Sequence, residues 1–571
     1  MIASGIAGLA AGNADITIIG AGPAGITLAL ECARNGQSVL LLESGDRSRL
    51  EEAQDLSLAH LVDPRTHYDM AVSVARRFGG TSNLWGGRCQ QLDPIDFMER
   101  PGLVEAKWPI GLEELLPFYG IACSYASCGS PIFTAEVGDS ICDPALVDAT
   151  RVARFSNQPK FQIAHKRSLS SSQVDVRLNV TVTDFELHES GHVKAVIVAG
   201  PDRERYRIPV NRVAIACGGL ESTRLLLCIQ RKHPEMFGGV NGPLGRYYMG
   251  HLIGEIADIS FSTDRIARAF DFFIDGNGSY VRRRLVVSDE AQRRRNLLNC
   301  SFWPVVLPVS DAAHGSGLLS LAYLAIMRSA LGKMLVAEAV RIRHYRPGVP
   351  LRPHLQNLLS DFPSAATYLP SFIYKRFFSQ MRLPGFFVLN PNRRYGLAYH
   401  QEQVPDPSSR VWLNGDVDSL GVPRLSIHLK FDRRNAEALV RSHRLLQEWL
   451  GRKKVGSLHY RYPKAELRDA VQEQANHGRH QIGTARMGFD RRSAVVDRNL
   501  RTFDLPNLHV VSSAVMPTSG QAGPTLTVVA LAARLAKHLQ ASAALSHHAR
   551  STDVQLRAPV ARFGSRAGSS K

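Results

Sequence analysis

The 571 residues contain no Cys-x-x-Cys pair, no Cys/His finger pattern and no apolar run long enough to cross a bilayer. Lysine is scarce, supplying 13 of the 69 basic residues and leaving 56 arginines. The missing cysteine pairs exclude a disulfide scaffold, and the eight scattered cysteines (32, 89, 123, 128, 142, 217, 228, 300) read as reduced thiols of a cytosolic-type protein. The absence of finger and ribonucleoprotein aromatic motifs argues against nucleic acid as a partner. The apolar opening, MIASGIAGLAAG, has no basic flank and is too short to span a membrane, so residues 1–12 are expected to form a loose extension.

The residues that are present belong to an ordinary globular chain: 44% hydrophobic, 21% charged, with 46 Gly and 30 Pro. The length predicts roughly three to four domain-sized units. A net charge of +18 would attract an anionic membrane or substrate, but the basic residues are mostly dispersed among acids, so a solvated surface explains them equally well.

Residues 14–43 read as strand, turn, helix and strand: ADITIIG, AGPAGITLALECARNG and QSVLLLES. The turn is Gly20-Ala-Gly22-Pro23-Ala24-Gly25, and Glu43 closes the second strand. In such a unit the first glycine allows the tight turn, the second lets backbone approach a pyrophosphate, and the third lets helix and strand pack closely. The phosphates would sit on the helix N-terminus, and Glu43 would accept from ribose hydroxyls while repelling a 2′-phosphate. A nucleotide cofactor is therefore expected, although this motif alone does not separate FAD from NAD.

Two further segments, RRFGGTSNLWGG (76–87) and HQIGTARMG…VVDRNLRTFDLPNLHVVSSAVMPTSGQAGPTLTVVALAARLAKHL (480–539), resemble the glucose–methanol–choline (GMC) FAD-dependent oxidoreductases. They are most similar to the bacterial sugar/polyol dehydrogenase and pyranose-oxidase-like branch. VAIACGGLESTRLLL (213–227) adds to the likeness, which covers the first ~230 and last ~100 residues well and the middle loosely.

The resemblance implies an α/β fold, with a discontinuous Rossmann-like FAD-binding domain and an inserted α+β substrate-binding domain. The expected division is FAD binding at 13–95, a connecting or lid segment at 96–150, FAD binding again at 151–250, substrate binding at 251–477, FAD binding with the catalytic motif at 478–545, and a disordered basic tail at 546–571. It also implies that Gly79, Gly80, Thr81 and Asn83 lie along the isoalloxazine, that Val180 holds the adenine edge through its backbone, and that Ala514, Val515 and Thr525 close over the flavin. Some relatives tether the flavin through a His preceding the Trp of the loop; here that position is Leu84, before Trp85, so non-covalent FAD is expected.

His480 matches the catalytic base. A histidine serves such a role because its pKa lies near working pH; standing alone it would read as a structural loop residue. His477 and His480 form an H-x-x-H, but two ligands with no third in reach argue against a metal. The second catalytic residue of the family, Asn or His, is replaced by Gly523. Three accounts stay open: Gln521 or His477 substitutes, the substrate brings its own polar group, or the site is weakened.

The expected reaction is oxidation of a CH–OH group of a sugar, glycoside or polyol, by proton abstraction and hydride transfer to flavin N5. The acceptor is left open among oxygen, a quinone and a carrier protein. The alternatives are a non-redox, lyase-like flavoprotein and a membrane-associated binding protein with a vestigial site. The basic helical insertion at 313–384, with nine Lys/Arg against two Asp/Glu over 321–384, reads either as a peripheral membrane contact or as a helical pair packed on protein. The expected location is cytoplasmic, with or without a peripheral membrane attachment.

Overall fold

The computed structural model describes residues 2–9, 14–100, 103, 107–138, 141, 143–171, 173–327, 344, 348–389 and 391–555. The apolar runs ITII (Ile16–Ile19) and VLLL (Val39–Leu42) are buried at every position, as strands covered on both faces must be. Between them, Pro at the first helical position and the left-handed Gly36 just past the end delimit the helix Pro23–Arg34.

These strands lie at the centre of a six-stranded parallel sheet. Its order is Ile2–Ser4, Val174–Leu178, Val39–Leu42, Ile16–Ile19, Val213–Ile215, Leu508–Val510. The last strand arrives almost 300 residues after its neighbour, so the chain leaves this layer and returns to it. The C-terminal helix Thr525–Gln555 packs against both Pro23–Arg34 and Leu112–Tyr125.

The excursion builds five strands of a six-stranded antiparallel sheet and Val147–Asp148 adds the last, in the order Gly456–Tyr460, His251–Phe261, Arg394–Glu402, Cys300–Val305, Leu285–Val287, Val147–Asp148. The amphipathic helix Arg433–Lys453 buries Leu439, Leu446 and Trp449 in the separate core behind it. The architecture is the mixed α/β arrangement expected.

Two local expectations are corrected. The N-terminal extension is not loose throughout, because Ile2–Ser4 pairs in parallel with Val174–Leu178 and extends the sheet edge. Three residues are too few for a strand period to show in sequence. The tail is not disordered from 546, since the last helix continues to Gln555; 556–571 lie outside the described residues. Part of the basic insertion, 328–343 and 345–347, also lies outside them. The seven described cysteines are all free.

Candidate active site

A cavity of about 640 Å³ opens at the C-terminal edge of the parallel sheet. Gly20, Gly22, Pro23, Ala24 and Glu43 line it together with Gly80, Thr81 and Val180 and with His480, Gly523 and Thr525. Two glycines there leave no room for a side chain: a Cβ on Gly80 would stand 2.9 Å from Gly22 Cα, and one on Gly25 1.9 Å from the Gly20 carbonyl oxygen. Gly25 does not line the cavity, in keeping with its expected packing role.

The helix N-terminus at Gly22 has no side-chain cap, so its first amides face the cavity as donors for a phosphate. Glu43 accepts from the Ala21 and Gly45 amides (2.8 and 2.9 Å), one on each oxygen. Each oxygen keeps a second lone pair, while burial raises the carboxyl above its usual range. The Val180 amide donates to the Glu43 carbonyl, which leaves the Val180 carbonyl as its free backbone group. The residues therefore fit a dinucleotide.

Several expected contacts fall elsewhere. Gly79 and Asn83 shape the loop from behind. Asn83 donates to the Phe78 and Gly80 carbonyls, and a Cβ on the left-handed Gly79 would run into Gln162. Ala514 and Val515 are fully buried and do not reach the cavity; Ser512 and Ser513 line it in their place. Gln521 is corrected as a substitute for the missing second residue. Its side chain is fully buried away from the cavity, accepting from Arg284 (2.5 Å) and donating to Asp93 (2.6 Å).

The geometry around His480 is set by histidines from the antiparallel sheet. His480 Nδ1 lies 2.9 Å from His251 Nδ1, and His251 Nε2 lies 3.2 Å from the Ser519 carbonyl oxygen. A carbonyl only accepts, so His251 carries its proton on Nε2 and leaves Nδ1 bare. His480 must then donate from Nδ1, which leaves a lone pair on Nε2, the atom beside Gly523. His400 stacks on His251 (4.1 Å between centroids, 18°) and donates from Nδ1 to the Gln521 carbonyl (2.6 Å). Two ring N–H groups thus fix the 519–521 backbone against His480.

Burial, then the neighbouring His477, His251, Arg88 and Arg479, hold the His480 pKa well below the usual histidine value. The ring is therefore neutral at pH 7, more firmly so than its intrinsic pKa implies. Burial likewise pushes His251 down to about 3.

The expectation that no third ligand stands near His477 and His480 is also corrected: His251 brings the three within 4.8 Å. Their facing nitrogens are nevertheless engaged with one another. His251 and His480 share a hydrogen bond, and His477 Nδ1 accepts the His480 amide (3.3 Å). Hydrogen bonding accounts for this cluster without an ion.

Sequence reasoning missed His251, His400 and Arg88. Arg88 follows the quoted loop motif directly, so its place two residues past Gly86 was a usable signal. The two histidines carry no local signal.

Position 523 itself is open. A Cβ there would meet only His480 Cε1 and Nε2, at 3.9 and 4.0 Å, which is ordinary contact. Among the described residues no other side chain crowds that Cβ position.

Comparison with known proteins agrees with this arrangement. Residues 15–285 match the FAD dependent oxidoreductase model and 405–532 the GMC oxidoreductase C-terminal model. The chain is 22% identical to the fructose dehydrogenase large subunit of Gluconobacter japonicus, covering 92% of this chain and 97% of that one. It is 35% identical over 151 residues, 26% of this chain and 27% of the relative, to a C-glycoside 3-oxidase of Arthrobacter globiformis. The pyridoxine 4-oxidase structure from Mesorbium loti superposes with a TM-score of 0.52 at 17% identity, over 92% of this chain and 99% of that one. With a glycine-lined dinucleotide cavity that a neutral histidine also lines, the chain belongs to the GMC oxidoreductase family and is an FAD-dependent oxidoreductase.

Proposed function

We propose that the protein oxidises a CH–OH group of a sugar, glycoside or polyol, with His480 as the base. The observation that carries this reading is the hydrogen-bond chain His480–His251–Ser519, which leaves His480 Nε2 unprotonated in the cavity. Bound FAD supplies the hydride acceptor. His480 Nε2 takes the hydroxyl proton. His251 Nδ1, already accepting from His480, stabilises the imidazolium that results. The substrate class rests on the relatives, named for fructose and for C-glycosides. Anaerobic incubation with a panel of sugars and polyols, followed by carbonyl detection, tests it. One carbonyl per flavin reduced supports the reading, and a product formed without flavin reduction supports a lyase instead.

FAD is held without a covalent bond in this proposal. Leu84 lines the cavity where a tether would need a nucleophilic side chain, and it offers none. Acid precipitation should release the flavin quantitatively into the supernatant; yellow pellets would contradict this.

A peripheral membrane contact is favoured by the described part of the insertion. On the helices Arg352–Ser360 and Phe362–Ile373 and the turn Tyr374–Phe378, large apolar side chains face solvent: Leu355, Leu359, Ile373, Tyr374, Phe377 and Phe378. Leu359 is 84% exposed and Phe378 73%. Lys375 and Arg376 interrupt this apolar run, the combination that suits an anionic interface. No helix among the described residues is long and apolar enough to cross a membrane. The protein should float with phosphatidylglycerol-containing vesicles at low salt, and Phe377→Ser with Phe378→Ser should weaken this by roughly tenfold or more. Failure of the unaltered protein to float contradicts the contact.

A further inference from the structure

Five arginines line the cavity: Arg49, Arg76, Arg88, Arg224 and Arg479. Three are accounted for by carboxylates, Arg49 with Glu51, Arg76 with Glu221, and Arg224 with Asp418 and Glu221. Arg479 stands exposed at the rim, with its guanidinium over Tyr68. Arg88 differs from all of these. It is only partly accessible, and among the described residues its guanidinium meets neither a carboxylate nor any hydrogen-bond acceptor.

Its position is fixed. Residues Arg88–Cys89 form a strand paired with Val152–Phe155, and the guanidinium lies 4.6 Å over the Trp303 ring. Its charge reaches His480, His400 and His251, each of which it disfavours from protonating. Burial lowers its own pKa to about 10, which leaves it charged at neutral pH. The acids lining the cavity, Glu43 and Glu221, are held by backbone amides and by Arg76. A charged guanidinium enclosed without a partner is costly, and its cost is recovered when an anion arrives.

We infer that Arg88 is a substrate anchor, and that the sugar or polyol oxidised at His480 carries a carboxylate which pairs with this guanidinium. The inference rests on the proposed oxidation for what happens beside His480, and it names the class of substrate that enters. One guanidinium matches one carboxylate in charge and in its paired donors, whereas a phosphate dianion calls for a second cation. The arrangement also bears on Gly523. A substrate held by its carboxylate needs less help at the hydroxyl end.

The test is calorimetric titration of the FAD-loaded protein with D-glucuronate, D-glucose and D-glucose 6-phosphate, paired with anaerobic flavin reduction by each. Glucuronate should bind at least about tenfold more tightly than glucose. Arg88→Gln should weaken glucuronate on the order of 10²-fold while moving glucose less than about threefold, and Arg88→Lys should recover part of the loss. Equal binding of glucuronate and glucose to the unaltered protein overturns the inference, as does equal weakening of both by Arg88→Gln. Tighter binding of glucose 6-phosphate than of glucuronate overturns the assignment to carboxylate. A fall in flavin midpoint potential in Arg88→Gln with sugar binding unchanged assigns Arg88 to the flavin and also overturns it. If glucuronate binds through Arg88 yet no sugar reduces the flavin, the oxidation reading fails and the anchor stands. If the sugars reduce the flavin without preference for the acid, the anchor fails and the oxidation reading stands. The comparison among sugars uses the unaltered protein, so it reads out even where a variant folds poorly.

Discussion

His480→Gln should retain FAD and fold normally while reducing its flavin about 10²–10⁴-fold more slowly than the unaltered protein. Glutamine preserves most of the volume and can still donate toward His251 Nδ1, so the loop at 519–521, held by His251 and His400, need not move. What it lacks is a basic lone pair where the ring offers Nε2. The loss should appear in the rate constant for reduction and leave substrate binding nearly unchanged, because the proton moves only in the transition state. Anaerobic stopped-flow reduction of the flavin measures both. A variant that reduces its flavin at an unaltered rate would remove His480 from the chemistry.

Acid should destabilise the protein from about pH 6.5 downward. Among the histidines whose pKa burial lowers in the folded state, five are His67, His314 and His443 at about 4 and His251 and His509 at about 3. In the unfolded chain each returns to about 6.5. These folded values are depressed, so the neutral rings contribute their full stability above the unfolded pKa and lose it as pH falls toward 4 and then 3. Between pH 7.5 and 5.5 the unfolded state gains protons that the native state does not. This costs about 1 kcal/mol per histidine, on the order of 5 kcal/mol for the five. Glu43 and Asp96, raised by burial, act in the opposite sense because the native state binds their protons first. They offset part of the loss. The melting temperature, followed by flavin release, should drop by about 5 °C or more over this range. An unchanged value would contradict a net destabilisation by the buried neutral histidines.

What the sequence reveals about the site follows from how local each feature is. The Gly20–Gly25 turn is legible because strand, glycines, helix and second strand occupy thirty consecutive residues, and Gly25 answers a clash with the Gly20 carbonyl only five residues away. His480 is legible only through the motif around it. His251 and His400 are not legible at all. They reach His480 because the strands His251–Phe261 and Arg394–Glu402 pair antiparallel, a long-range event with no signature at either residue. Gln521 is misread for a related reason. Its direction is decided by Arg284 and Asp93, distant charges whose buried network draws the amide away from the cavity. The inserted sheet fixes what the histidine can do, and it is the part of the chain with the weakest motifs.

The central claim is that His480 meets its substrate as a neutral base whose pKa lies well below the usual histidine value. The most direct measurement is the rate of anaerobic flavin reduction after a rapid jump from pH 7.5 to values down to 5.5, made before unfolding intervenes and read as loss of the flavin band at about 450 nm. The account predicts a rate that stays within about twofold across that range. A decline of about tenfold per pH unit beginning near 6.5 would show an ordinary, solvent-titrated histidine and contradict it.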